Sequence, residues 1–134
     1  MRLERATLYG VLALAHLAKT GPAGGQQAHR ICEETGIPLV YLRRLTERLA
    51  RARMVVSTRA PGGGFKLARS PGQLTMLQIV EALEGPVDTA SVLGDDLLLG
   101  RNDATARHLR RWRQQVARVV RCMLEETTLN DIVG

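Results

Sequence analysis

A mainly α-helical fold carrying one small β-hairpin is what this sequence predicts, on three observations. Hydrophobic residues make up 45% of the 134 but aromatic residues only 3%, so the core is aliphatic, which favours Leu-, Ala- and Val-rich helices over a β-sandwich. Apolar positions recur at three- and four-residue spacings along most of the chain, the period of a helix with one buried face. The exception is STRAPGGGFKLARSP, Ser57 to Pro71, where three consecutive glycines stand between two short apolar runs. The length is that of a single domain able to bury a core without staples.

ATLYGVLALAHLA, Ala6 to Ala18, is apolar nearly all round, and a helix of that kind is expected to be central and buried. GPAGG ends it. Gln26 to Thr35 predicts a short helix with Ala28, Ile31 and Cys32 on one face. Gly36 stops that helix and Pro38 opens the next. In IPLVYLRRLTERLARARM the residues Leu42, Leu45, Leu49 and Ala52 share one stripe, while Val40, Arg43, Arg44, Glu47 and Arg51 fall opposite. A short helix, a glycine turn and a longer helix with a basic outer face form the pattern of a helix-turn-helix, whose second helix enters the major groove.

Val55 and Val56 before the glycines, and Phe65 and Leu67 after them, suit two strands of a hairpin. Three helices and a hairpin make a winged helix-turn-helix. Thr75 and Gln78 then predict a capping box for a helix with Met76, Ile79, Val80 and Leu83 on one face, stopped by Gly85-Pro86. Residues 86–103 show no period and are read as a connector in which Leu97 to Leu99 pack onto something. The last helix, from about Ala104 to Glu126, would be roughly 34 Å long. Its stripe of Leu109, Trp112, Val116, Val119, Val120 and Met123 calls for the same helix of a second copy, a two-fold dimer. The organisation expected is therefore 1–85 for DNA binding, 86–103 as connector, and 104–134 as dimerisation helix and tail.

Charge supports that division. The net charge is +6, but Met1 to Arg69 hold twelve basic residues against four acidic, and Ser70 to Gly134 seven against nine. A basic face confined to one half implies a polyanionic partner, nucleic acid or an anionic membrane, and the helix-turn-helix pattern favours double-stranded DNA. Arg43 and Arg44 are the candidates for guanine edges. Val40 is placed at a thymine methyl and Tyr41 at phosphate. Gly62, Gly63 and Gly64 let the wing tip approach the backbone, Arg59 enters the minor groove, and Lys66 and Arg69 lie near phosphates. Arg48, Arg51 and Arg53 either solvate the helix or touch phosphate.

Other chemistries find little support. PGGGFK has neither the glycine spacing nor the following helix of a nucleotide loop, and no nucleophile, base and orienting group combine into an enzyme site. Two cysteines ninety residues apart make no disulfide framework; both Cys32 and Cys122 are expected to be buried. His29 and Cys32 alone make no metal site, and His16 and His108 have no evident partners. Neither a signal-peptide pattern nor a membrane span is present, so a cytoplasmic protein is expected.

The stretches MRL, GIPLVYLRRLTERLARARMV, RAPGGGFKLAR, LTMLQIVEALEGP, the lone Trp112 and TTLNDIV together make the chain similar to the Rrf2 (IscR/NsrR/CymR) family of bacterial winged helix-turn-helix transcription regulators. The resemblance implies a homodimer on a palindromic operator, a repressor in the simplest case, with DNA contacts at Leu39, Val40, Tyr41, Arg43, Arg44, Arg59 and the wing glycines. Many members of that family hold an iron–sulfur cluster through three cysteines between the ALEGP helix and the long helix. Val87 to Arg107 contain none here, and His108 alone cannot replace them. No cluster, other cofactor or metal is expected, and the effector is not disclosed. The rival readings are a winged module that binds another protein, and a thiol- or metal-responsive regulator using Cys32 or Cys122.

Overall fold

The computed structural model describes residues 1–20, 25–59 and 63–134. Its elements run α1 (Arg5–Thr20), α2 (Ala28–Thr35), α3 (Leu39–Arg51), β1 (Val55–Ser57), β2 (Phe65–Leu67), a 3-10 turn (Pro71–Gln73), α4 (Met76–Glu84), α5 (Thr89–Leu93), α6 (Ala104–Glu126) and α7 (Leu129–Val133). The expected mainly α architecture, winged helix-turn-helix plus long C-terminal helix, is what the chain adopts.

One aliphatic core joins α1, α2, α3, α4 and α7. Leu14, Ile31, Leu42, Leu45, Leu49, Leu74, Ile79 and Leu129 are all fully buried in it. Helix α1 supplies only one face, Thr7, Gly10, Ala13, Leu14 and Leu17. Its opposite face leaves Leu8 and Leu12 half exposed, so the uniformly apolar run is not uniformly buried. Helices α2, α3, α4 and α7 and strand β2 pack against it.

The turn between α2 and α3 follows from two residues. Gly36 adopts φ +78 and returns its N–H to the Cys32 carbonyl, a left-handed cap that a Cβ would oppose. Ile37 is then buried as a plug, and Pro38 sets the entry angle of α3 from the N-cap position. At the far end Arg53 takes φ +60 and the Met54 N–H closes on the Leu49 carbonyl at 2.9 Å, which turns the chain into β1.

The hairpin is antiparallel, with Val55 opposite Leu67, Val56 opposite Lys66 and Ser57 opposite Phe65. A third segment joins it. Gln26 and Phe65 exchange two backbone hydrogen bonds of 2.8 Å, so the chain entering α2 forms an edge of the wing. Gly64 lies against this edge, where a Cβ would overlap the carbonyl of Gln26. The Thr58 hydroxyl receives the Gly64 N–H at 2.7 Å.

The capping box predicted for α4 is present: the Gln78 N–H donates to Thr75 Oγ1 and the Thr75 N–H to Gln78 Oε1. The C-terminal residues are no loose tail. The Met76 N–H donates to the Thr127 carbonyl and the Leu129 N–H to the Leu74 carbonyl, each at 2.8 Å. A Thr128/Asp131 box then starts α7.

The connector departs further from expectation. It contains α5, opened by an Asp88/Ser91 capping box and too short for any periodic signal. Val87 and Val92 are buried with Leu77, Val80 and Ala117 in a second cluster under α6. Leu97 and Leu99, expected to pack, are 80% and 91% exposed. Polar tethers hold this segment instead. Arg110 donates to Asp96 Oδ2 and to the Arg101 carbonyl, and Arg113 to the Gly94 carbonyl, each at 2.6 Å. The Arg110 hydrogen bond, followed by the Leu98 N–H, holds the Asp96 carboxyl below its usual range.

Gly64→Ala should therefore lower stability by about 1–3 kcal/mol, the usual range for overpacking, while Gly72→Ala, which meets open space, should be nearly neutral. Urea unfolding of both variants checks this.

Candidate nucleic-acid interface

Helix α3 is buried along Leu42, Leu45, Thr46 and Leu49, and this decides what it shows to solvent. Val40, Arg43, Arg44, Glu47 and Arg51 form one exposed row, with Leu39 exposed beside it. Among the described residues neither Arg43 nor Arg44 enters a salt bridge, whereas Glu47 Oε1 accepts from Arg51 at 2.6 Å. Tyr41 differs from the rest of its group. Its ring is half-buried against Tyr9, centroids 5.3 Å apart at 61°, and it fixes α3 to α1.

Arg69, expected near phosphates, and Arg48, read as solvating the helix or touching phosphate, are both committed elsewhere. Arg69 donates to the carbonyls of Ala52 and Arg53, and Arg48 to that of Leu83 at 2.8 Å. They neutralise the C-terminal ends of α3 and α4, where partial negative charge collects. Lys66 shares a face of the hairpin with Val56, and Arg59 is exposed where β1 leaves toward the tip. Of the three tip glycines, Gly62 lies outside the described residues. Gly63 follows it, and Gly64 is demanded by Gln26 within the protein, a reason unrelated to any approach of DNA.

A polar cluster that sequence reasoning missed ties the wing to the helices. His16 Nε2 lies 2.6 Å from Gln26 Oε1 and 3.0 Å from Glu34 Oε2. Glu34 also accepts from Gln26 Nε2 at 3.2 Å and Arg30 Nε at 3.0 Å. The hydrogen bonds from Arg30, then Gln26, hold its carboxyl below the ordinary value of 4.5. The Arg30–Glu34 pair was legible as an i,i+4 spacing; His16 and Gln26 carried no local signal because the contact is tertiary.

Along α6, Leu109, Trp112, Val116, Val119 and Met123 recur at spacings of three and four residues. Trp112, Val119 and Met123 are 55%, 68% and 70% exposed. Val120, expected in this stripe, instead packs inward with Leu124 against the Leu77 cluster. Cys122, expected buried, is exposed, and Cys32 is half-buried against the core. Among the described residues no three His, Cys, Asp or Glu side chains converge on a point that could hold a metal ion. No helix there is long and apolar enough to cross a membrane.

Comparison with known proteins places these features in a group. The family model Rrf2, "Iron-dependent Transcriptional regulator", matches residues 3–134. An HTH-type transcriptional regulator of Azotobacter vinelandii is 36% identical over 71% of this chain and 58% of its own length. The HTH-type transcriptional regulator IscR of Cronobacter sakazakii is 31% identical over the whole of this chain and 81% of its own. Among solved structures, CymR, the global cysteine regulator of B. subtilis, superimposes with a TM-score of 0.81 at 26% identity, covering 99% of this chain and 96% of that one.

Proposed function

The chain belongs to the Rrf2 family of helix-turn-helix transcriptional regulators, and from that premise we propose that it works as a homodimeric repressor on a palindromic operator in the cytoplasm. The observation that carries the proposal is the exposed row on α3, with two arginines that have no partner among the described residues, set beside a wing whose flanks carry Arg59 and Lys66. Arg43 and Arg44 read guanine edges in the major groove. Leu39 and Val40 contact apolar base edges there. Tyr41 offers its hydroxyl to phosphate while its ring stays on Tyr9. Arg59, with Gly62 and Gly63 beyond it, follows the minor groove, and Lys66 meets the backbone.

The dimer is built on α6. Residues spaced three and four apart and facing outward form a seam of the coiled-coil kind, and Leu109, Trp112, Val116, Val119 and Met123 supply it. Val120 holds the helix to its own protomer. Two α3 helices carried on one two-fold axis require an operator with matching symmetry.

The family description speaks of iron. The donor set of this chain does not fit an iron–sulfur cluster, which thiolates normally hold. Its two cysteines lie on α2 and α6, one half-buried in the core cluster, and the segment from Val87 to Arg107 has none. We therefore read it as a regulator without a cluster. The exposure of Cys122 favours that thiol over Cys32 if the signal is oxidative.

DNA retained by the purified protein from fragmented host genome, at about 150 mM salt, should converge on one palindrome with half-sites about a helical turn apart. Binding should weaken by roughly 10³–10⁵ between 50 and 200 mM salt if six to ten phosphates are contacted; a flat salt response would reject the DNA reading. Arg43→Ala should relax preference at one position per half-site, whereas Lys66→Ala should weaken all sequences alike and flatten the salt slope. Val119→Glu should sediment as a folded monomer and lose operator affinity; a dimer would refute the seam. Protein isolated without oxygen should hold far less than stoichiometric iron and sulfide.

A further inference from the structure

We propose that Glu47 is a specificity-determining residue that accepts a hydrogen bond from a cytosine amino group in each half-site, with Arg51 as its positioning residue. The inference rests on the reading of α3 as the recognition helix. Glu47 is the single carboxylate of α3, and it stands in the outward row, one turn beyond Arg43 and Arg44. A carboxylate carried toward a polyanion weakens binding unless it meets a donor. The major groove offers two exocyclic amino donors, cytosine N4 and adenine N6. Adenine sets the N7 acceptor beside N6, which repels a carboxylate, whereas cytosine presents its amino group alone.

The pair with Arg51 makes that approach feasible. The guanidinium lies 2.6 Å from Glu47 Oε1, at i,i+4, with side chains 75% and 63% exposed. Such an exposed pair adds little to stability. Its consequence is a carboxylate aimed outward with its charge offset, leaving one oxygen free to accept from a base. A neighbouring cytosine reader also complements guanine readers at Arg43 and Arg44, so the site is expected to carry a fixed C next to the fixed G positions.

Selection from a random duplex library by the full-length wild type, Glu47→Ala and Glu47→Gln tests this. The wild-type consensus should contain a fixed cytosine in each half-site, and replacing it should lower affinity roughly 5- to 150-fold. In Glu47→Ala that position should become degenerate while the others persist, and in Glu47→Gln it should shift toward adenine. Arg51→Ala should weaken operator binding, and adding Glu47→Ala to it should recover part of the loss, because an unpaired carboxylate is then removed from the phosphates. A purely structural pair would leave base preference unchanged. An unchanged consensus in Glu47→Ala would overturn the role of Glu47 and leave the regulator reading standing. Failure of the wild type itself to enrich any sequence would remove both.

Discussion

The burial of one face of α3 governs the functional surface of this protein. Leu42, Leu45 and Leu49 reach the centre of the aliphatic core with essentially no exposure, and full burial of such side chains stabilises by about 1.5–3 kcal/mol each. Rotating the helix to bury any other set would put Arg43, Arg44 or Glu47 into that core. The basic row is thus displayed because the opposite row cannot be anywhere else. The plug at Ile37 and the cap at Gly36 fix the angle at which α3 leaves α2, and Tyr41 against Tyr9 fixes its roll on α1.

Around that helix the arginines divide by what they touch. Arg48 and Arg69 close the C-terminal ends of α4 and α3. Arg110 and Arg113 bind the connector to α6, and Arg121 donates to Glu81 Oε2 and to the Val87 carbonyl. Each of these is held in place by carbonyls or carboxylates of its own chain, and in the pairs Arg110–Asp96 and Arg121–Glu81 the charge is offset as well. Among the described residues Arg43, Arg44 and Lys66 have no such partner. Net charge alone therefore does not say which side chains are free to reach a partner, since several of the basic residues are tied to their own chain.

The wing shows a similar economy. Gln26 makes a third edge for the hairpin through its backbone and reaches His16 and Glu34 through its side chain. One residue thereby couples β2, α1 and α2. Gly64 is small because Gln26 passes over it, so at least part of the glycine run serves the attachment of the wing.

Much of the fold was legible in the sequence because its signals are local. The 3.6-residue periods placed α1, α3, α4 and α6, the Thr75/Gln78 spacing marked the cap of α4, and Val55–Val56 before the glycines with Phe65 and Leu67 after them marked the hairpin. Helices α5 and α7 escaped because five residues hold too little period, and their capping boxes stood in segments without a hydrophobic pattern. The outward residues Val40, Arg43, Arg44, Glu47 and Arg51 also followed from helical phase alone, whereas Leu39 came only from the family resemblance. Phase could not say that Val120 turns inward, that Leu8 and Leu12 stay exposed, or that Arg48 and Arg69 serve as helix caps. Those outcomes depend on which element packs where, and only tertiary structure brings residues as distant as Arg48 and Leu83, or His16 and Glu34, within hydrogen-bond reach.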